Sequence, residues 1–284
     1  AQVRALLPGY AKAGMILDQG LEGACTGFGL AAVINYLQWL RALDSGQKTP
    51  GLVSPRMLYH LAKLYDEWPG EDYEGSSCRG ALRGWQRHGV CLESLWPFGG
   101  GAFQRPEAGW DTDAATRPLG VYYRIQPDSV VDMQAAIHQA GAIYVSASVH
   151  EGWAHLAKGR HKSGALPSHA TLPVIQPSER VLGGHAFALV GYNDRGFVVQ
   201  NSWGSTWGWG GFGVLPYEDW TAHGQDAWVM GLGVPVRQAS EAAPGASPSH
   251  FVARGRSATR TLGWFAGKQD AFQGQEKTWP EAHA

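Results

Sequence analysis

Four residues have the types and the placement for acyl-transfer chemistry: Cys25, His185, Asn201 and Gln19. Cys25 stands at the head of a long apolar run, behind the polar, glycine-broken loop 18–24. Only the thiolate is a strong nucleophile, and an unassisted cysteine has a pKa near ~8.5. A helix N-terminus favours the thiolate through its partial positive charge, and a neighbouring imidazolium favours it more. Position gives Cys25 the first of these. His185 is the candidate for the second, because two glycines precede it and a strand-like segment follows in GGHAFALVGY. Asn201 closes the next strand-like segment, across the turn Asn193-Asp194-Arg195-Gly196. Antiparallel pairing about that turn brings 185 and 201 together, and an amide oxygen there accepts the imidazole N–H and fixes its tautomer. Trp203 shares a strand face with Asn201 and can shield that bond from water. Gln19, six residues before the cysteine, offers a side-chain N–H that joins the Cys25 backbone N–H against a developing oxyanion. One such donor is worth about 3–4 kcal/mol in the transition state.

The elements that must position these groups follow from pattern. From Thr26 to Leu43 apolar residues fall on nearly every side, the mark of a buried central helix, and Gly27 and Gly29 suit close packing or close approach of a ligand. Ser54-Pro55 opens a second helix, with Ser as cap and Pro at the first position. A third covers Cys78 to His88 and is closed by Gly89. The stretch 99–118 is rich in Gly and Pro and reads as irregular. Beyond it the pattern changes: a strand at 121–125, a short helix capped by Asp128 or Ser129 and ended by Gly141, a strand at 142–149, a long loop over 150–184, then strands at 185–192, 197–201 and 212–215. The expected architecture is α+β: a helical lobe (1–118) carrying the cysteine, then an antiparallel, β-barrel-like lobe (119–235) carrying His185 and Asn201, with a cleft between them. Residues 236–284 begin as a linker and continue as a tail with scattered aromatics, which is expected to fold back over the cleft.

Composition narrows the function classes. The 284 residues carry a net charge of -1, so nothing points to nucleic acid or an acidic membrane as partner. No apolar run reaches the ~18 residues of a membrane helix. The first ten residues do not read as a secretory signal. With three cysteines, the chain is no disulfide scaffold, and Cys78 and Cys91 read as buried free thiols, although their spacing also permits a pair. The compartment indicated is the cytoplasm, with secretion after processing the alternative. His150, His155, His161 and His169 crowd the 150–184 loop, but His150-Glu151 with His155 is one residue too long for His-Glu-x-x-His. They read as solvated loop histidines, so no metal and no cofactor is expected. Residues 208–213 fit G-x-G-x-x-G literally, yet no helix follows, so they read as a Gly/Trp loop near Asn201 rather than a dinucleotide site.

Taken in order, Gln19-Gly20, Gly23-Ala24-Cys25, Gly184-His185-Ala186 with Val190-Gly191-Tyr192, Asn201-Ser202-Trp203-Gly204 and Trp207-Gly208 resemble the papain-type cysteine peptidases over roughly residues 10–235. The resemblance implies a peptidase acting on protein or peptide substrates through a thioester, with endopeptidase cleavage expected. In it Gln19 is the oxyanion glutamine, Cys25 the nucleophile, His185 the general base and acid, Asn201 the orienter and Trp203 the shielding indole. Cys78-Arg79-Gly80-Ala81 approximates the family's Cys-Asn-Gly-Gly segment; Gly75, Gly80 and Ala81 are expected to expose backbone at the cleft rim, where an extended peptide could pair, with Gly184 and Trp203 as further expected substrate-binding positions. Two departures stand out: Glu22 occupies a position where the family has a disulfide cysteine, and Thr26 replaces an aromatic. The same residues admit two other readings, a catalytically quiet binding module of the same fold, or a transamidase or isopeptidase using the same Cys-His-Asn chemistry.

Overall fold

In the computed structural model, which describes residues 8–48, 50–67, 74–99, 104–156 and 171–234, a short helix α1 (Pro8–Lys12) leads into α2 (Cys25–Asp44). Every residue of α2 from Thr26 to Leu37 is buried, so its apolar groups have no single stripe to form. Two glycines allow this. A Cβ at Gly27 would collide with the Pro55 carbonyl, and one at Gly29 would lie 2.8 Å from the Ala186 carbonyl. The helices expected after it form where the caps indicate. Ser54 Oγ accepts the Met57 N–H at 3.0 Å to start α3 (Pro55–Leu64). Ser77 Oγ accepts the Gly80 N–H at 3.0 Å to start α4 (Cys78–His88), and Gly89 ends it at φ 71°. Among its described residues, the stretch read as irregular contains one short helix, α5 (Trp110–Ala114).

The rest of the chain builds a sheet with helices on its connections: β1 (Leu119–Arg124), α6 (Val130–Ala140), β2 (Ile143–His150), α7 (Glu151–Ala154), β3 (Val181–Tyr192), β4 (Gly196–Gln200), β5 (Phe212–Pro216), α8 (Tyr217–His223) and β6 (Gly224–Leu232). The strand order is β1-β6-β2-β3-β4-β5, antiparallel throughout. β1 and β5 are the outermost strands, with residues 173–175 bridged in parallel to β5 at Val214, so this is an open six-stranded sheet and not a closed barrel. The turn at 193–196 joins β3 to β4 with Tyr192 opposite Phe197. Two sequence expectations change. β3 begins at Val181, four residues earlier than expected, so the 150–184 stretch holds α7 and the first turnings of β3 as well as loop. β6 was not expected, yet it lies inside the sheet between β1 and β2.

Strand alternation sends successive side chains to two cores. Tyr144, Ala186, Ala188 and Val190 face the core built with α2 and α4, whereas Ile143, Val145, Phe187 and Leu189 face α6, α7 and α8 through Met133, Ile137, Trp153 and Trp220. Cys78 and Cys91 are both buried and unpaired, as free thiols. No helix among the described residues is long and apolar enough to cross a membrane. The 236–284 tail, and with it the expectation that it covers the cleft, lies outside the described residues, as do His161 and His169.

Candidate active site

The first residue of α2 is Cys25, and the cap before it, Ala24, contributes no side-chain hydrogen bond. The backbone of that first turn, at Cys25 and Thr26, hydrogen-bonds the thiol. Because Gly29 lets α2 press onto β3, the thiol also reaches the Ala186 backbone, one residue past His185. Burial pushes the Cys25 thiol up, and hydrogen bonds from the backbone of Ala186, Thr26 and Cys25 itself pull it back.

His185 is 5 % exposed and Asn201 1 %. His185 Nε2 donates to Asn201 Oδ1 at 2.8 Å, an oxygen that also accepts the Ser202 N–H at 2.8 Å. That assignment leaves Nδ1 as the acceptor nitrogen of the ring. Burial lowers the His185 pKa to about 4, and the bond to Asn201 opposes that fall. The Trp203 ring lies 4.9 Å from the imidazole, with Phe187 at 5.7 Å and Trp153 at 6.2 Å around it. The Gly/Trp loop holds Asn201 from below, where the Asn201 N–H donates to the Gly211 carbonyl at 2.9 Å.

Gln19 is fixed at both ends of its amide. Its Oε1 accepts from Ser202 Oγ at 2.8 Å, and its Nε2 donates to the Glu22 carbonyl at 3.0 Å. Its backbone N–H donates to the Ser202 carbonyl at 2.9 Å, so the loop before Cys25 is tied to the segment that carries Asn201. Glu22 in turn meets buried Arg56 in a two-pronged ion pair, 2.6 and 2.7 Å. The same guanidinium donates to the Phe98 carbonyl at 3.0 Å and lies 4.3 Å over the Phe98 ring. At the position where the resemblance places a disulfide cysteine, the loop is thus held by a charged clamp. Sequence reasoning missed Ser202 and Arg56. Ser202 was visible inside the Asn201 motif, whereas nothing local marks Arg56, 34 residues from its partner.

With this geometry in place, the chain was compared with known proteins. A model of the papain family cysteine proteases matches residues 14–221. The chain belongs to the papain family. An uncharacterized peptidase-like protein of Acanthamoeba polyphaga mimivirus is 26 % identical over 212 residues, covering 71 % of this chain and 64 % of that protein. A gut-specific cysteine proteinase of Caenorhabditis elegans is 26 % identical over 225 residues, covering 70 % and 62 %. The chain therefore spans a little under two thirds of the length of these curated relatives. Among solved structures, xylellain, a cysteine protease from Xylella fastidiosa, superposes with a TM-score of 0.62 at 24 % identity, covering 82 % of this chain and 85 % of that one. That likeness confirms the papain-type α+β fold.

Two site expectations need correction. Gly80 and Ala81 are not at a rim. They are buried inside the first turns of α4, and a Cβ on Gly80 would meet the Ala62 carbonyl of α3 at 2.6 Å. Helical backbone packed this way has no open edge for a peptide to pair with. The segment beside the cysteine is 74–76: Ser76 Oγ lies 2.6 Å from Thr26 Oγ1, and a Cβ on Gly23 would meet Glu74 Cβ at 3.3 Å. Cys78 is the first residue of α4, as the helix expected over Cys78–His88 has it, with Tyr144 and Ser146 hydrogen-bonding to its thiol. The histidines also differ among themselves. His155 is exposed, whereas His150 is buried and paired with Asp219 at 2.9 Å. Gly184 does lie exposed beside His185, with open space where a Cβ would be.

Proposed function

We propose that this papain-family chain is a cysteine-type peptidase with Cys25 as nucleophile, His185 as general base and acid, Asn201 as orienter and Gln19 as oxyanion donor. The observation that carries the reading is the 2.8 Å His185–Asn201 bond beneath Trp203, set next to a thiol that reaches the Ala186 backbone. Burial disfavours a lone charge on either partner. Transfer of the Sγ proton to His185 Nδ1 creates both charges together, so each stabilises the other.

In the first half-reaction the thiolate attacks the substrate carbonyl carbon. The oxyanion that forms accepts from the Cys25 N–H and from Gln19 Nε2, which is held in place by Ser202 and Glu22. Collapse breaks the C–N bond, the imidazolium protonates the leaving amine, and the acyl group remains as a thioester on Sγ. In the second half-reaction His185 takes a proton from water, the hydroxide attacks the thioester, and the proton returns to Sγ as the carboxylic acid leaves. Exposed Gly184 lies beside His185, and the 74–76 segment lies against Gly23 and Thr26 on either side of Cys25; an extended peptide laid between them would be cut internally. Mass spectrometry of the products from a mixed peptide library tests it. Internal cuts with one oxygen from labelled water in each new carboxylate are expected, and are lost in Cys25→Ala. Products carrying a new amide instead of a carboxylate would assign a transamidase, and no products would assign a binding module.

A further inference from the structure

A second cluster lies away from Cys25, where β2 meets α8. Asp219 and His223 stand four residues apart on α8, hence on one face of it, and His150 reaches that face from the last position of β2. One ligand atom from each of the three falls within 4.8 Å of the others, and the two imidazole rings lie 5.4 Å apart. The side chains of His150 and Asp219 are only 1 % and 6 % exposed. A second observation is independent of this grouping: Asp219 Oδ1 is buried and has no hydrogen-bond partner, although Oδ2 takes one from His150 Nε2 at 2.9 Å. A buried carboxylate oxygen without a donor is costly to leave unmatched, and Oδ1 has no hydrogen-bond partner among the described residues. The geometry points to a divalent transition-metal site of the zinc class, formed by His150, Asp219 and His223, with water completing the coordination.

Two imidazoles and one carboxylate are the ligand types that zinc takes, and three protein ligands plus water is a common zinc arrangement. His223 is partly exposed, so the ion has a way in from solvent. Zinc with ligands at about 2.0–2.1 Å holds them about 3.3 Å apart, so the wider separations in the cluster must close while the 2.9 Å His150–Asp219 contact opens slightly. His150 is at present the donor to Asp219 through Nε2, while its Nδ1 accepts the Gly152 N–H over a long 3.2 Å. Metal capture by Nε2 moves the ring proton to Nδ1 and gives up that long contact. Gly152 lies in the first turn of α7, and α7 carries Trp153, whose ring sits against His185. The metal would thus tie α8 to the element that backs the catalytic histidine.

The test uses the full chain with Cys25→Ala, which removes the thiol that would itself bind zinc. Equilibrium dialysis against zinc, with metal analysis, is run on this parent and on the same chain with His223→Ala or Asp219→Asn. Circular dichroism confirms that each is folded. One zinc per chain is expected in the parent, with affinity weakened at least about tenfold in both variants, since loss of an outer partner alone commonly costs about 10–100-fold. Zinc should raise the melting temperature of the parent and not of the variants. Absence of zinc binding in the parent, or binding that either substitution leaves undiminished, overturns the site.

Discussion

His185 is asked to be a base while buried, and its surroundings set how. Burial lowers its pKa to about 4, and the Asn201 hydrogen bond works in the opposite direction by favouring the charged ring. The ring is then neutral through the neutral range and protonates only as pH falls through about 4. Below that point it cannot accept the Cys25 proton, so kcat/KM is expected to fall on an acid limb near that value. Removing the Asn201 bond takes away the contribution that raises the pKa. In Asn201→Ala the acid limb therefore moves to lower pH while the plateau drops, because a weaker base accepts the thiol proton less readily. A kcat/KM profile over pH checks both effects, and a merely structural role for Asn201 would lower the plateau without moving the limb. This pair was legible in the sequence for a local reason: the 193–196 turn fixes which residues of β3 and β4 face each other. Gln19 was legible as a donor, but its two anchors were not, because Ser202 lies 183 positions away and meets it only in the fold.

At the scale of elements, α2 and the loop before it decide where the thiol sits. The loop carries Gln19 and Glu22 and is fixed to α3 by the Glu22–Arg56 clamp, with Arg56 buried against Phe98. Breaking a buried pair from one side leaves an uncompensated charge, a loss of about 3 kcal/mol. Arg56→Met is expected to lower stability in urea denaturation by about that much and to reduce kcat more than it changes KM, because the Glu22 carbonyl that holds Gln19 Nε2 moves with the loop. Unchanged stability and kcat would show the clamp to be incidental. Helix α2, the start of α3 and the end of α4 were legible from short-range signals, Ser54 at the cap, Pro55 at the first position and Gly89 past the last turn. Misplacing the rim at Gly80 and Ala81 came from following a family motif at Cys78–Ala81, although the same residues already read as the first turn of a helix over Cys78–His88, whose backbone is not free to pair. β6 escaped for a different reason. Its residues alternate only briefly, and its place between β1 and β2 is set by partners about 80 to 110 positions away, a long-range choice that local pattern does not encode.

The whole molecule is one open sheet with a core on each face, and the site forms where α2 presses on β3. Segments near 19, 25, 185 and 201 meet only when both cores are assembled. The fold also sorts the three thiols. Cys25 is partly exposed at a helix N-terminus, whereas Cys78 and Cys91 are buried, with burial pushing Cys78 far above the usual thiol range and Cys91 up to about 12. Reactivity should follow that sorting. The most direct test is intact mass after treatment with a peptidyl epoxide or chloromethyl ketone, with the modified residue located by peptide mapping. The account predicts a single adduct on Cys25 in the folded chain, none in Cys25→Ala, slow labelling in His185→Ala, and loss of selectivity among Cys25, Cys78 and Cys91 once the chain is unfolded in urea. No adduct on Cys25 in the folded chain, or peptide turnover that survives Cys25→Ala, would contradict it.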